Sequence, residues 1–384
     1  MNYGLSEELA AIRQTARQFA RERLLPAYQE TERQGRLDRA VVREMGALGF
    51  IGTNQAERHG GAGLDYLTQG LICEEVGAGD FNYAYVPLAG TLVADMLVQG
   101  GRPAVIDTWV PRICSGEALP ALGLTEPEVG SDAGHLRTRA ERDGHDFIIN
   151  GEKASISLSD QADVVALFAR TNGDDPGPRG VSAFLMPLDV PGVSRTRVRD
   201  LGSHAVGRGS LFFEDARVPA EHMIGDENKG FSQVMVGFDF SRALIGLMCI
   251  GAAQASVDET WSYVSERKAF GSPIVRFEGV SFPLAEAETM LEAARQLCYK
   301  TLWLRDAGQK HTSEAAMCKW WPPKLAFEII KECILLHGHG GYSHDYPHQQ
   351  RLRDVLGLQI GDGTAQIMKL IIAREKAGRA AVPY

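Results

Sequence analysis

The sequence predicts an α+β chain of three parts, helical at both ends and β-rich in the middle. Three features carry that prediction. Apolar residues recur at helical spacing up to about residue 118. Short runs rich in β-branched and aromatic residues, separated by turn clusters, fill about 121–225. Long stretches nearly free of proline follow from about 229. The expected organisation is an N-terminal helical domain (1–118), a middle β-barrel domain (119–228) and a C-terminal four-helix bundle (229–384).

In the first part, Ser6 can cap a helix whose apolar positions are Leu9, Ile12, Ala16, Phe19 and Ala20. Pro26 kinks or ends that helix. Residues 57–65 hold Gly60, Gly61 and Gly63 and read as a loop, and helical spacing resumes over 68–76. In the middle part, 147–149, 164–168, 181–185 and 210–213 read as strands, with a turn cluster at 172–178. Strands of this length and spacing point to a small barrel or sandwich. Asn150-Gly151 reads as a hairpin turn. In the last part, 251–268, 283–306, 313–337 and a final helix from near Gly363 suggest an antiparallel bundle, with Pro322-Pro323 the only interior prolines past the first turn.

Composition narrows the function. The 384 residues are 44% hydrophobic and 23% charged, an ordinary globular mix. The net charge of −9 is spread without a basic block, which argues against nucleic-acid binding, since phosphate neutralisation needs a basic face. The six cysteines form no CxxC pair and read as free thiols in a reducing cytoplasm. Residues 1–8 lack a basic and apolar leader pattern, so no signal peptide is expected. No apolar run approaches the roughly 20 residues of a membrane-spanning helix, so none is expected.

Five segments carry chemistry when taken together. Residues 124–132 set Thr125 and Ser131 around Gly130, hydroxyls beside a turn that lets backbone approach a ring system. Alone, this is a surface turn. Residues 149–157 hold Ser155 and Ser157, and alone suggest a hairpin. Residues 266–271 place Arg267 and Lys268 at a helix end, where cations are favoured in any case. Residues 337–342 form a glycine-rich loop containing Gly338. Residues 360–367 set Asp362 just before a helix, where an N-cap is the ordinary explanation.

In this order and spacing the five segments resemble the acyl-CoA dehydrogenase family, and 60–65, 223–231 and 370–375 agree. The resemblance covers essentially the whole chain. It implies a helical domain, a β-barrel domain and a four-helix bundle, assembled as a homotetramer with FAD between barrel and bundle. By motif, Thr125, Ser131, Ser155 and Ser157 should line the flavin and substrate side, with Ser131 also on the substrate. Arg267 and Phe270 should reach the FAD of a neighbouring subunit, Gly338 lies in the FAD loop, and Thr364 and Gln366 should contact the other end of FAD. Tyr83, Tyr85 and Leu88 fall in the window 81–94 that lines the acyl chain. That window holds no charged side chain, so an uncharged acyl pocket is expected. Phe238, Asp239 and Arg242 match the segment that meets the CoA arm, and Gly363 should also contact the substrate. Asp362 should remove the α-proton while the β-hydride passes to the flavin, with its backbone N–H helping to hold the enolate oxygen. Electron-transfer flavoprotein is the implied acceptor, with neither a nucleic-acid nor a membrane partner.

The sequence departs from the family at several positions. Asp362 replaces the usual glutamate and shortens the reach by about 1.5 Å. Ser155 replaces a tryptophan against the flavin, Ala269 lacks a hydroxyl, and Leu335 and His339 replace glutamine and glycine. The shorter base and the small residues of 153–157 point to a compact alicyclic or α-branched acyl group, specifically cyclohexane-1-carboxyl-CoA. The rivals are a flavin oxidase with an aspartate base, of the nitroalkane-oxidase or acyl-CoA oxidase kind, and a catalytically silent FAD- or acyl-CoA-binding protein. Asp362 argues against the silent protein. His337, His339, His344 and His348 cluster in sequence, but no ligand set completes a metal site, so none is expected.

Overall fold

The structure is a computed structural model that describes residues 5–382. Ser6 accepts the Leu9 amide at 3.2 Å and starts α1 (Glu7–Phe19). The chain tightens through a short turn at Leu25–Ala27, where Pro26 sits, and resumes as α2 (Tyr28–Gln34). Four more helices follow: α3 (Arg39–Ala47), α4 (Tyr66–Gly79), α5 (Tyr85–Gly100) and α6 (Pro103–Cys114). The Asp65 carboxylate caps α4 by accepting the Thr68 amide at 2.8 Å.

Eight strands form the middle part: β1 (Pro120–Gly123), β2 (Arg139–Asp143), β3 (Asp146–Ile156), β4 (Val164–Arg170), β5 (Val181–Pro187), β6 (Val193–Arg195), β7 (Gly209–Pro219) and β8 (Met223–Ile224). Their order is β6-β7-β3-β2-β4-β5-β8, with β1 parallel to β4. The expected barrel is not closed, because among the described residues β6 and β8 remain separate edges. These strands are 3 and 2 residues long, too short to build a ladder across the gap.

The hairpin expected at Asn150-Gly151 is also corrected. β3 runs straight through these residues, and its register with β7 shifts there by a bulge. The Asn150 amide and Asp215 exchange two hydrogen bonds, at 3.0 and 2.9 Å. A Cβ on Gly151 would lie 2.8 Å from the Thr138 Cα, so glycine is required by close approach of the neighbouring strand. The turn instead falls at Gly144 (φ 63°), between the paired Asp143 and Asp146.

The last part comprises α7 (Gly230–Glu266), β9 (Lys268–Ala269), β10 (Ser272–Pro273), α8 (Glu278–Asp306), α9 (Thr312–Leu336), α10 (His339–Tyr342), α11 (His348–Gly357) and α12 (Ala365–Ala377). α7 begins far earlier than the expected 251. Its glycines are packing residues rather than helix ends: a Cβ on Gly251 would lie 2.1 Å from the Glu74 carbonyl oxygen, and one on Gly77 2.6 Å from that of Met248. α4 and α7 therefore touch backbone to backbone. Contrary to expectation, α7 is by length and composition apolar enough to cross a membrane, but 83% of its most apolar stretch is buried against the rest of the chain. Small residues interleaved with Leu and Ile conceal that hydropathy when the sequence is scanned for unbroken apolar runs. The six cysteines are buried and unbridged.

One polar knot joins all three parts. The Asp354 carboxylate on α11 accepts from the Tyr28 hydroxyl at 2.7 Å, the Ser203 amide at 2.5 Å and the Asn82 side chain at 3.3 Å. Asn82 in turn donates to Asp80 through both its amide and its side chain.

Candidate active site

The centre of the site is the turn between α11 and α12. Thr364 is the N-cap of α12, accepting the Ile367 amide at 3.4 Å, so the capping role considered for Asp362 belongs to Thr364. Asp362 stands two residues before it with φ 56°, and Gly363 has φ 98°. That φ favours glycine at 363, where a Cβ would also meet the end of the flexible Met368 side chain at 2.5 Å. Asp362 is half-buried as a residue, but its carboxyl is deep enough for burial to push its pKa above the usual carboxylate range. Lys319 from α9, Arg242 from α7 and Arg208 from the segment before β7 oppose that shift. Lys319 Nζ donates to the carbonyls of Leu358 (2.6 Å) and Gly363 (3.1 Å).

Two helices wall the site. On α5, Tyr85 and Leu88 are buried, and Tyr85 accepts at its hydroxyl from Arg208 at 3.3 Å. Arg208 also binds Asp200 at 2.6 Å. Residues 81–94 carry no charge of their own, and the Arg208 guanidinium from the β part reaches them at Tyr85. Tyr83 is drawn away, since its hydroxyl accepts the Asp38 amide at 2.9 Å. On α7, Phe238 is buried, and Asp239 is held by Arg242 at 3.0 Å and by the Thr312 hydroxyl at 2.6 Å. Ser241 Oγ and Arg242 Nε are buried without partners among the described residues.

The β part supplies the third wall. The Ala154 amide donates to the Thr125 carbonyl at 2.9 Å, which brings Thr125 beside Ser155 and Ser157. Beneath Thr125, the buried Glu126 is gripped by Lys153 (2.7 Å) and by the amides of Arg137 (2.6 Å) and Thr138 (2.8 Å). Burial pulls the Lys153 pKa down to about 8, against the pull of Glu126. Ser155 is exposed with φ 58°, Ser157 is half-buried, and Ser131 is exposed beyond them. Ile156 pairs with Gly209, next to Arg208, and so links this wall to Tyr85 and Asp362.

Arg267, Phe270 and Gly338 are not brought to this place. Arg267 caps the far end of α7, about 38 Å from Arg242 at roughly 1.5 Å per residue. Phe270 is 96% exposed at the tip of the β9–β10 hairpin. Gly338 is near that same end, where His337 stacks on Tyr263 at 4.2 Å. Gln366 is exposed on the first turn of α12. Among the described residues no group of three or more histidine, cysteine or acidic side chains converges on a metal-sized site. Sequence reading missed Arg208, Lys319 and the Glu126–Lys153 pair. Their one sequence signal is a charge set in an apolar or β-rich run, as Lys319 is among Ala315, Ala316, Cys318 and Pro322.

Family comparisons agree with the three-part fold. The models for the N-terminal, middle and C-terminal domains of acyl-CoA dehydrogenase match residues 6–117, 121–216 and 228–377. The chain belongs to the acyl-CoA dehydrogenase family. This dehydrogenase is 35% identical to the probable acyl-CoA dehydrogenase YngJ of Bacillus subtilis, over 98% of this chain and 99% of that one. Butyryl-CoA dehydrogenase from Megasphaera elsdenii superposes with TM-score 0.94 at 30% identity, over 98% of this chain and 100% of that one. A chain solved in work on the electron transferring flavoprotein of Acidaminococcus fermentans gives 0.95 at 31% identity, over 98% and 100%. A glutaryl-CoA dehydrogenase from Mycobacterium smegmatis in complex with FADH2 gives 0.92 at 28%, over 98% and 96%. Other relatives are long-chain, short-chain and isovaleryl-CoA enzymes, so the family alone fixes no acyl group.

The enzyme is an FAD-dependent oxidoreductase, and its residues fit that cofactor. Thr125 and Ser157 are half-buried and Ser155 is exposed, so their hydroxyls are open to a ligand, and Ser241 Oγ and Arg242 Nε are buried donors in want of an acceptor.

Proposed function

We propose that this dehydrogenase oxidises a compact alicyclic or α-branched acyl-CoA, with cyclohexane-1-carboxyl-CoA going to cyclohex-1-ene-1-carboxyl-CoA, and that Asp362 is the α-proton base. The observation that carries the base assignment is the state of the two carboxylates at the site. Asp239 is committed to Arg242 and Thr312, whereas Asp362 has no hydrogen bond or ion pair among the described residues and faces three cations. A carboxylate without a partner, its burial opposed by nearby positive charge, is what proton abstraction requires.

Asp362 takes the α-proton, and its own N–H, which meets no backbone acceptor among the described residues, is available to the thioester oxygen as negative charge develops there. FAD, when bound, supplies the acceptor for the β-hydride. Ser157, Ser131 and Thr125 orient the cofactor and substrate along the β wall. Tyr85 and Leu88 would close the acyl side, where α7 packs on α5 closely enough that a Cβ on Gly237 would lie 2.7 Å from Leu92 Cδ1. The short base supports the compact acyl group.

Because Arg267, Phe270 and Gly338 lie far from Asp362 within one chain, their expected FAD contacts belong to a neighbouring copy, which supports a homotetramer. Electron-transfer flavoprotein is the proposed acceptor, and the six free thiols favour a reducing compartment. A panel of CoA thioesters with an artificial electron acceptor tests the substrate: the cyclohexane-carboxyl ester should be turned over fastest, and a preference for straight-chain esters refutes the compact pocket. A second reading, an oxidase, is favoured by the exposed Ser155 at a position usually covered by tryptophan. Peroxide formation at the full turnover rate, without added acceptor, would select it.

A further inference from the structure

The turn that carries Asp362 contains two left-handed residues in succession, and one side chain spans it. Lys319 is wholly buried and makes no ion pair among the described residues. Its ammonium donates to Leu358 O at 2.6 Å and to Gly363 O at 3.1 Å, carbonyls at the two ends of the segment that includes Asp362. A neutral donor could satisfy a carbonyl at far lower desolvation cost, so a buried ammonium here calls for a role for its charge.

The charges around Asp362 show what that role is. The groups facing it are Lys319 on α9, Arg242 on α7 and Arg208 before β7, with Tyr85 on α5 beside Arg208 and Cys249 on α7 beside Lys319. Arg242 is already paired with Asp239, and Arg208 with Asp200. Lys319 is the one cation of the three without a carboxylate of its own. Its place is fixed by the helix. Pro322 and Pro323 lack the amide protons that would bond the carbonyls of Cys318 and Lys319, and a Cβ on Gly246 would lie 2.9 Å from the Cys318 oxygen, so α7 packs directly on that opened turn.

We propose that Lys319 is the positioning residue of the base: its ammonium clamps both ends of the 358–363 turn and provides the unshared positive charge that the Asp362 carboxylate faces. This rests on Asp362 being the base. Burial lowers the Lys319 pKa to about 8, with Asp362 pulling it back up, which fits two groups that feel each other. Burial raises the Asp362 pKa and each cation lowers it, so loss of the Lys319 charge moves the onset of proton abstraction to higher pH.

The test uses the FAD-loaded enzyme and acetoacetyl-CoA, whose α-proton is acidic and whose β-carbon has no hydrogen to give. The ultraviolet absorbance of the bound enolate then reports the base separately from hydride loss. Lys319→Gln keeps a donor for the turn and removes the charge. Its enolate titration should move up by about one pH unit, with about tenfold less enolate well below the midpoint and the high-pH plateau kept. Lys319→Met should show the same shift and also a lower plateau, because both carbonyls lose their donor. FAD content and thermal midpoint are followed alongside, and Lys319→Gln alone decides if the Met variant does not fold. Folded variants with the wild-type midpoint and plateau overturn the role of Lys319. Asp362→Asn, run in parallel, separates the two proposals. If it abolishes the enolate while the Lys319 variants behave as wild type, only the lysine role fails. If it forms the enolate normally, the base assignment itself is wrong.

Discussion

Asp362 combines a short side chain with a left-handed backbone, and these make its two obvious substitutions differ. Aspartate and asparagine tolerate positive φ better than other non-glycine residues. Asp362→Asn should therefore fold with stability within about 0.5 kcal/mol of wild type and still take up FAD, yet lose flavin reduction by several orders of magnitude. Asp362→Glu should cost about 1 kcal/mol of backbone strain and crowd a cyclic α-carbon, so turnover of the cyclohexane-carboxyl ester falls more than that of a straight-chain ester. Stopped-flow bleaching of the flavin measures both, and fast bleaching by the Asn variant contradicts the assignment. Arg208→Leu should move the onset of flavin reduction to higher pH, since Arg208 also lowers the Asp362 pKa. Glutaryl-CoA should remain a poor substrate of the wild type, because Arg208 is already neutralised by Asp200 and leaves a distal carboxylate without a free partner. An unchanged pH profile in the Leu variant, or efficient glutaryl-CoA turnover, would sink these two statements. Asp362 was legible in the sequence because it sits in a local motif. Arg208 and Lys319 were not, because Tyr85 and Leu358, which draw them to the site, lie 123 and 39 residues away in the chain, and a single cation in a loop or helix reads as solvated.

Among the elements, α4 and α7 depend on missing side chains. Gly251→Ala would drive a Cβ to 2.1 Å from the Glu74 carbonyl oxygen, and Gly77→Ala to 2.6 Å from that of Met248. Each should destabilise by about 1–3 kcal/mol, since backbone cannot move aside as a flexible side chain does. Gly279→Ala in the first turn of α8 meets nothing within 4 Å and should be neutral or stabilise by up to about 1 kcal/mol. Denaturant midpoints compare the three, and equal midpoints would refute close helix contact. The same physics explains why the start of α7 was read too late. Gly246 and Gly251 suggest a boundary when only local propensity is weighed, and become helix interior once α4 and α9 lie against them. Asn150-Gly151 misled in the same way: a turn-forming pair was used as a bulge because Asp215 and Thr138, remote in sequence, required it.

For the molecule as a whole, the knot of Asp354, Tyr28, Asn82, Asp80 and Ser203 makes stability depend on pH. Burial raises the Asp80 pKa to about 7 and the Asp354 pKa to about 6, from an ordinary 3.8. A carboxyl with a raised folded-state pKa favours the fold while protonated, so this contribution is whole below about pH 4 and is lost as pH rises through 6 and 7. Glu259, whose pKa is held down chiefly by Arg351 against its own burial, works in the opposite sense and loses its contribution on acidification below the ordinary glutamate range. Thermal midpoints should therefore fall from about pH 5.5 to pH 8, and Asp80→Asn should flatten that slope; a variant slope equal to wild type refutes the assignment. Phe270, Tyr342, Ile360 and Leu335 are exposed on the C-terminal part, so light scattering should give the mass of four chains, and a monomer that keeps its flavin would contradict the shared-cofactor reading. The order of helical, β and helical parts was readable from periodicity alone. Closure of the sheet was not, because it depends on whether two remote edges meet.

Backbone contact between α4 and α7 has a consequence for amide exchange in deuterated water. Ala243, Leu244, Ile245, Leu247, Met248, Cys249, Ile250, Ala252 and Ala253 have no exposed surface, and the glycine contacts leave α7 no room to breathe against α4. Deuterium can reach these amides only when the two helices part, so their protection reports the free energy of global unfolding. The first turn of α7 and the turn before Arg267 should exchange sooner by local fraying.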